Sequence, residues 1–184
     1  MLKRPIYQSS YRYKFAQKLL YLLFGKKNMY IAPWKHTAVG AGGFLFLEGK
    51  LLLGKRADHT NLGGLYGLIG GYVDFEDNET PADALVREAF EEAQLRLEPF
   101  PFNTDTLFDI SMADNQYLEG EFDNFNRLDM LFIRQITAEQ ASQIQDTDEM
   151  HSWAFFSLPE IETLHKEGTL ACDIALVRKA FKST

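Results

Sequence analysis

The rhythm of apolar and polar positions changes several times along the chain, and each change marks a predicted element. Phe15, Leu19, Leu22 and Leu23 recur at helical spacing between Tyr11 and Phe24, with Gly25 as the stop, so an amphipathic helix is expected there. Ala32-Pro33-Trp34 reads as the junction to a main domain. From Thr37 to Leu47 small and apolar residues alternate, and Glu48-Gly49 separates them from Leu51-Leu52-Leu53 as in a hairpin. Leu65 to Ile69, Leu95 to Leu97, Thr106 to Ile110, Leu128 to Ile136 and Trp153 to Phe156 are further strand candidates. The stretch Pro81 to Gln94 is a helix with a well-specified start. Thr80 suits the N-cap, Pro81 the first turn and Asp83 the acid of a capping box, and Leu85, Val86, Ala89, Phe90 and Ala93 form one apolar stripe. Leu158-Pro159-Glu160 opens a short helix that Gly168 ends, and Asp173 to Phe181 is a last helix with Ile174, Val177 and Phe181 on one face. Strands on both sides of one long helix, with helices at the end, imply a mixed α/β sandwich. No internal repeat is present.

Bulk properties narrow the class. A chain of 184 residues fits one domain plus an extension, taken here as a basic extension over 1–34 and a main domain over 35–184. An apolar share of 46% excludes collagen-like and disordered chains. Cys172 is the only cysteine, which excludes a disulfide framework and a cysteine zinc site and suits a reducing, cytoplasmic setting. It lies in the apolar stretch Leu170 to Ile174 and reads as a structural thiol. No run approaches the roughly 18 to 20 apolar residues that span a bilayer, and the six from Leu19 to Phe24 are too few for a signal peptide.

The net charge of −7 is unevenly spread. Residues 1–47 hold eight basic residues and no acid, whereas the remainder carries 11 basic against 26 acidic residues, a net −15. An acidic body does not suit a nucleic-acid polymer as partner but does suit a site that collects divalent cations. The basic N-terminal helix reads as one packed on the domain or on a partner subunit, with an anionic membrane surface or a nucleotide phosphate as sharper alternatives.

Candidate chemistry concentrates on the helix from Pro81 to Gln94. Glu88, Glu91 and Glu92 fall within about 100° of arc on one face. Carboxylates three and four positions apart repel, and acids late in a helix oppose its dipole. A hard cation such as Mg²⁺ or Mn²⁺ turns that liability into a site; the plain alternative is a solvated acidic face.

The run Gly70-Gly71 to Leu95 resembles the Nudix box, in which a glycine, a glutamate and the sequence Arg-Glu-apolar-x-Glu-Glu-x-Gly-apolar stand at fixed spacings. Glu79, Arg87, Glu88, Ala89, Glu91, Glu92 and Leu95 match in register. Five charged matches at fixed offsets would arise by chance on the order of once in ten thousand such chains. Two positions depart from the pattern: Gly71 is followed by two extra residues before Glu79, within Phe75 to Asn78, and Gln94 replaces the glycine that ends the helix. The likeness extends over about Lys35 to Lys182, through Leu53-Gly54-Lys55-Arg56 and Leu65 to Gly71 upstream and Asp148-Glu149 and Leu158 to Ile161 downstream. A looser match, Asn115-Gln116-Tyr117 with Gly120 and Leu128 to Phe132, is similar to Nudix proteins of the ADP-ribose and NADH pyrophosphatase type.

The resemblance implies an α/β/α sandwich with a mixed β-sheet and a metal-dependent hydrolase of a diphosphate linkage. The expected substrate is a nucleoside diphosphate derivative of the ADP-ribose, NADH or sugar-nucleotide class. Alternatives are an oxidised nucleoside triphosphate pyrophosphohydrolase and a non-catalytic nucleotide sensor. Glu88, Glu91, Glu92 and the Gly71 carbonyl are then the implied ligands of Mg²⁺ or Mn²⁺, Arg87 orients the carboxylates, and Glu79 holds the loop–helix junction. Glu149 is the candidate general base, with Asp146, Asp148, Glu119 and Glu121 as rivals. Lys55 and Arg56 are candidate phosphate contacts, and Tyr66, Tyr117 and Phe122 candidate stacking partners for a base. His36, His59, His151 and His165 lack metal-ligand spacing and receive no role. Homodimers, frequent among such relatives, are a further expectation.

Overall fold

The computed structural model describes residues 37–60, 62–74, 78–114 and 126–184. The expected helix from Tyr11 to Phe24, and with it Tyr117, Phe122, Glu119 and Glu121, lies outside the described residues.

Seven strands form one mixed sheet: β1 (Thr37–Leu47), β2 (Lys50–Arg56), β3 (Tyr66–Gly67), β4 (Ile69–Tyr72), β5 (Leu107–Asp114), β6 (Asn126–Gln135) and β7 (Met150–Phe156). The main order is β3-β2-β1-β6-β5, with β4 also on β1 and β7 also on β2. The first hairpin turns where expected. Glu48 and Gly49 both take positive φ, 50° and 76°, the geometry that two-residue hairpins require. β1 is the central strand, running parallel to β6 from Thr37↔Asn126 to Phe46↔Gln135 and antiparallel to β2 and β4.

Among the described residues the helices are α1 (Pro81–Ala93), α2 (Ala138–Ala141), α3 (Leu158–Lys166) and α4 (Ile174–Lys182). They and the sheet enclose two cores. On one face, Ala82, Leu85, Ala89 and Ala93 of α1 pack on Ala41, Leu45, Ile69 and Phe132. On the other, Ile161 of α3 and Val177 and Ala180 of α4 pack on Phe44, Phe46, Leu51 and Leu53. Alternation along β1 and β2 decides which side chain enters which core. The result is the α/β/α sandwich with a mixed sheet.

Two expected strands differ. Leu65 to Ile69 is not one strand but two short ones, because the chain leaves β2 after Gly67 and pairs with β1 from Ile69. Among the described residues Leu95 to Leu97 pairs with no strand: Leu95 and Leu97 are buried under α1 as apolar plugs, and this backbone is held by Leu95 N–H on Ala89 O at 3.0 Å and by Gln140 Nε2 donating to the Arg96 carbonyl at 3.0 Å. Burial there comes from the turn at Gln94, not from a ladder. The short α2, capped by Thr137, is additional to the expected elements.

Candidate active site

α1 begins on a reciprocal cap. The Asp83 N–H donates to Thr80 Oγ1 at 3.2 Å, and the Thr80 hydroxyl at 2.6 Å and N–H at 3.1 Å donate back to Asp83 Oδ2, which holds the carboxyl below its ordinary pKa. At the other end Gln94 adopts the left-handed conformation, φ 54°, that a glycine ordinarily supplies. Its own amide Nε2 donates to the Phe90 carbonyl at 3.1 Å, and Leu95 N–H reaches Ala89 O at 3.0 Å. The helix therefore exits as a glycine-ended helix would. The loop before β7 covers the remaining carbonyls, with Thr147 Oγ1 on Glu92 O at 3.0 Å and Gln145 N–H on Ala93 O at 3.0 Å.

This framed helix sets its glutamates against β4. The Gly70 N–H donates to Glu92 Oε2 at 3.0 Å. A Cβ at Gly71 would fall into the Glu88 carboxylate, so any larger residue there would displace Glu88 from its present position. Glu92 is 3% exposed, and its pKa is pushed up to about 7, first by burial and then by the charges of Glu88 and Glu149, against the Gly70 N–H and Arg56. Burial also raises Glu88, with Arg87 opposing and Glu91 and Glu149 adding to the rise. Glu91 is more open, its side chain 55% exposed.

Arg87 ties these groups together. Its Nε meets Glu79 Oε1 at 2.8 Å, Nη1 meets both Glu88 Oε1 and Glu91 Oε2 at 2.7 Å, and Nη2 meets the Tyr72 carbonyl at 2.8 Å. These carboxylates hold the guanidinium pKa well above its ordinary value. Glu79 in turn accepts from Asp74 N–H at 2.8 Å and donates its own N–H to Asp74 O at 3.2 Å. Despite the two extra residues, the loop is closed across Asp74 and Glu79. The arrangement corrects one inference from the helix face: the glutamates are not uncompensated, because Arg87 serves Glu88 and Glu91 and the Gly70 N–H serves Glu92. Among the described residues no three His, Cys, Asp or Glu side chains are gathered as a ready metal cluster.

The other candidates divide. Glu149 lies at the start of β7, its carbonyl accepting from Ala57 N–H at 2.8 Å, and its charge reaches both Glu88 and Glu92. Asp146 instead accepts from the Ser152 N–H at 2.8 Å, bracing the positive-φ kink at Ser152. Lys55 and Arg56 are consecutive on β2, so their side chains leave opposite faces of the strand: Lys55 pairs in register with Tyr66 and His151 and Arg56 with Met150, and Arg56 lines a cavity and attracts Glu92. Tyr66, the candidate stacking residue, is half-buried. Its ring packs edge-on against Phe156, centroids 5.3 Å apart, as part of the second core.

That cavity, of about 370 Å³, adjoins the glutamates through the backbone of Gly70 and Gly71 and is bounded by Phe44, Leu131 and Leu176 of the second core. Its polar lining is Arg56, Ser111, Arg127, Asp129 and Asp173, with Cys172 in the wall. Burial pushes the Cys172 thiol up to about 12, consistent with the structural reading. Asp129 falls inside the looser match Leu128 to Phe132 but received no role, and Arg127 lies just outside it; their i, i+2 spacing on a strand puts both on one sheet face. Tyr72, 50% exposed beside Gly71, was missed for the same reason.

A mixed-sheet sandwich with a capped acidic helix laid against a Gly-Gly strand defines the class of fold, and comparison with known proteins identifies the family. The family described as NUDIX domain matches residues 36–172, and the chain belongs to the Nudix family. No curated protein matches. Solved structures share the fold at low identity. A MutT Nudix hydrolase from Burkholderia pseudomallei is 22% identical with a TM-score of 0.56, covering 80% of this chain and 98% of that one. An ADP-ribose pyrophosphatase from Streptococcus suis is 19% identical at 0.52, covering 80% and 92%. A bifunctional NMN adenylyltransferase/ADP ribose pyrophosphatase from Francisella tularensis, complexed with AMP and a Mn ion, is 20% identical at 0.51, covering 86% and 45%. Among the described residues no helix is long and apolar enough to cross a membrane.

Proposed function

We propose that this protein hydrolyses a diphosphate linkage in a nucleoside diphosphate derivative, using divalent cations held by Glu88, Glu91, Glu92 and the Gly71 carbonyl. The observation that carries the reading is Glu92: a carboxylate 3% exposed, displaced toward neutrality, and bonded to the amide of the Gly-Gly strand. A buried acid without a full counter-charge is costly, and a hard cation relieves the cost. The donor set fits Mg²⁺ or Mn²⁺, being carboxylate and carbonyl oxygens alone. Bound there, such ions would polarise the phosphoryl oxygens and acidify a water.

The chain's own residues do the rest. Arg87 keeps Glu88 and Glu91 aimed at one place and anchors that face to Tyr72 and Glu79; exchange of its Nη1 contacts frees two carboxylates for a cation. Glu149, whose charge already bears on Glu88 and Glu92, is the proposed proton acceptor for the attacking water. Arg56 stands between these carboxylates and the cavity, where it can meet a phosphoryl oxygen. The nucleoside part then occupies the adjoining cavity. The ADP-ribose, NADH and sugar-nucleotide class is preferred, supported by the fold shared with the two ADP-ribose pyrophosphatases.

The test is a panel of ADP-ribose, NADH, sugar nucleotides, dinucleoside polyphosphates and oxidised nucleoside triphosphates with Mg²⁺ or Mn²⁺, with product analysis. Turnover that disappears with EDTA and falls at least a hundredfold in Glu91→Gln and Glu92→Gln is expected. Unchanged metal-dependent turnover in both variants would sink the site assignment, and no turnover of any nucleotide would sink the hydrolase reading.

A further inference from the structure

Arg127 carries a contact pattern that the glutamate chemistry does not use. It stands on β6 in the cavity wall, and its Nε alone is spent on the protein, on Asp129 Oδ1 at 2.8 Å and Oδ2 at 3.0 Å. The guanidinium lies over the half-exposed Tyr72 ring, 5.8 Å from its centroid. Among the described residues, its Nη1 and Nη2 meet no acceptor. Asp129 is itself fixed: its side chain is 14% exposed, and its carboxylate fills the space that a Cβ at Gly40 would need. An arginine held by its Nε on a fixed carboxylate and by its face on an aromatic ring has lost much of its rotamer freedom.

On this geometry we propose that Arg127 is the recognition residue of the cavity, presenting its Nη fork to a pair of side-by-side hydrogen-bond acceptors on the substrate. Asp129 is the positioning residue that aims it. Two sources within the proposed substrate class share that chemistry, the O6/N7 edge of guanine in a guanosine sugar nucleotide and two non-bridging oxygens of a phosphoryl group. Lysine, a point donor on a flexible stem, does not reproduce a fork. The inference rests on the proposed function for which end of the substrate enters the cavity, but binding can be measured without turnover.

The experiment titrates the full-length protein in EDTA with GMP, AMP, 7-deaza-GMP, ribose 5-phosphate and inorganic phosphate by calorimetry, for wild type, Arg127→Lys, Arg127→Ala and Asp129→Asn. Far-ultraviolet circular dichroism and the melting temperature verify that each variant folds. A guanine source predicts GMP bound more tightly than AMP and 7-deaza-GMP. A phosphoryl source predicts equal binding of the nucleotides and of ribose 5-phosphate. Either way, folded Arg127→Lys and Arg127→Ala lose roughly ten- to a hundredfold in affinity for the preferred ligand. Asp129→Asn loses less, and on a turned-over substrate the loss falls on KM rather than kcat. Folded Arg127 variants that bind every ligand as wild type does, or a wild type that binds none, would overturn the proposal. Arg127-dependent binding in a protein that hydrolyses nothing would overturn the hydrolase reading and leave the fork standing.

Discussion

Replacing Glu92 with glutamine should make the metal-free protein more stable while removing its activity. Displacement of the buried carboxyl from 4.5 to about 7, at ~1.4 kcal/mol per pH unit, makes the ionised side chain cost roughly 3 kcal/mol above pH 7. Glutamine removes the charge and keeps an oxygen for the Gly70 N–H. If the added amide donors cost about 1 kcal/mol, roughly 2 kcal/mol of stabilisation survives, or about 4–8 °C in melting temperature for a domain of this size. The sign follows from the raised pKa. The native state holds its proton longer than the unfolded chain, so wild type loses stability as pH rises from about 4.5 to about 7. Melting both proteins in EDTA at pH 5 and pH 8 should therefore show a gap that is small in acid and full in base. Mg²⁺ should raise the wild type and leave Glu92→Gln nearly unmoved. A glutamine variant that melts below wild type at pH 8 in EDTA would refute the view that this carboxylate is an unrelieved charge.

Other consequences are separate. Gln94→Gly should stabilise by roughly 0.5 kcal/mol, because relief of a left-handed non-glycine residue at ~1 kcal/mol outweighs one exposed side-chain bond; a lower urea midpoint would contradict it. Gly71→Ala drives a methyl into the Glu88 carboxylate and should cost about 1–3 kcal/mol and most metal-dependent turnover, read by melting and by assay. Cys172, partly exposed in the cavity wall but with its thiol pushed up to about 12, should react more slowly with iodoacetamide at pH 8 than in the urea-unfolded protein, and its contribution to stability should fall as pH rises from about 9 towards 12; native labelling as fast as that of the unfolded chain would contradict the raised pKa.

The helix cap, the apolar stripe and the hairpin turn were legible in the sequence because each depends on neighbours a few positions apart: Thr80 with Asp83, Leu85 with Ala89, Glu48 with Gly49. Spacing also marked Glu88, Glu91 and Glu92 as one face. What spacing could not show was their company. Arg87 reaching Tyr72, or Gly70 bonding Glu92, depends on β4 lying against α1, a contact made by the sheet. Lys55 and Arg56 look alike in sequence and differ only by the pleat, and nothing local to Tyr66 showed that its ring packs on Phe156. Leu95 and Leu97 alternate like a strand, yet no neighbour offers them a ladder.

The pairing of β1 with β6 joins Thr37 to Asn126 and bears on the order in which the molecule assembles. β1, β2, β4 and α1 are drawn from one local stretch, Thr37 to Ala93, whereas β6 must return across a much longer loop, whose closure entropy is lost before its contacts form. As the chain emerges from synthesis, the acidic helix can dock on its Gly-Gly strand before Arg127 and Asp129 exist to face them. The helix glutamates thus belong to the early part of the chain, while Arg127, Asp129 and Glu149 are added to it later.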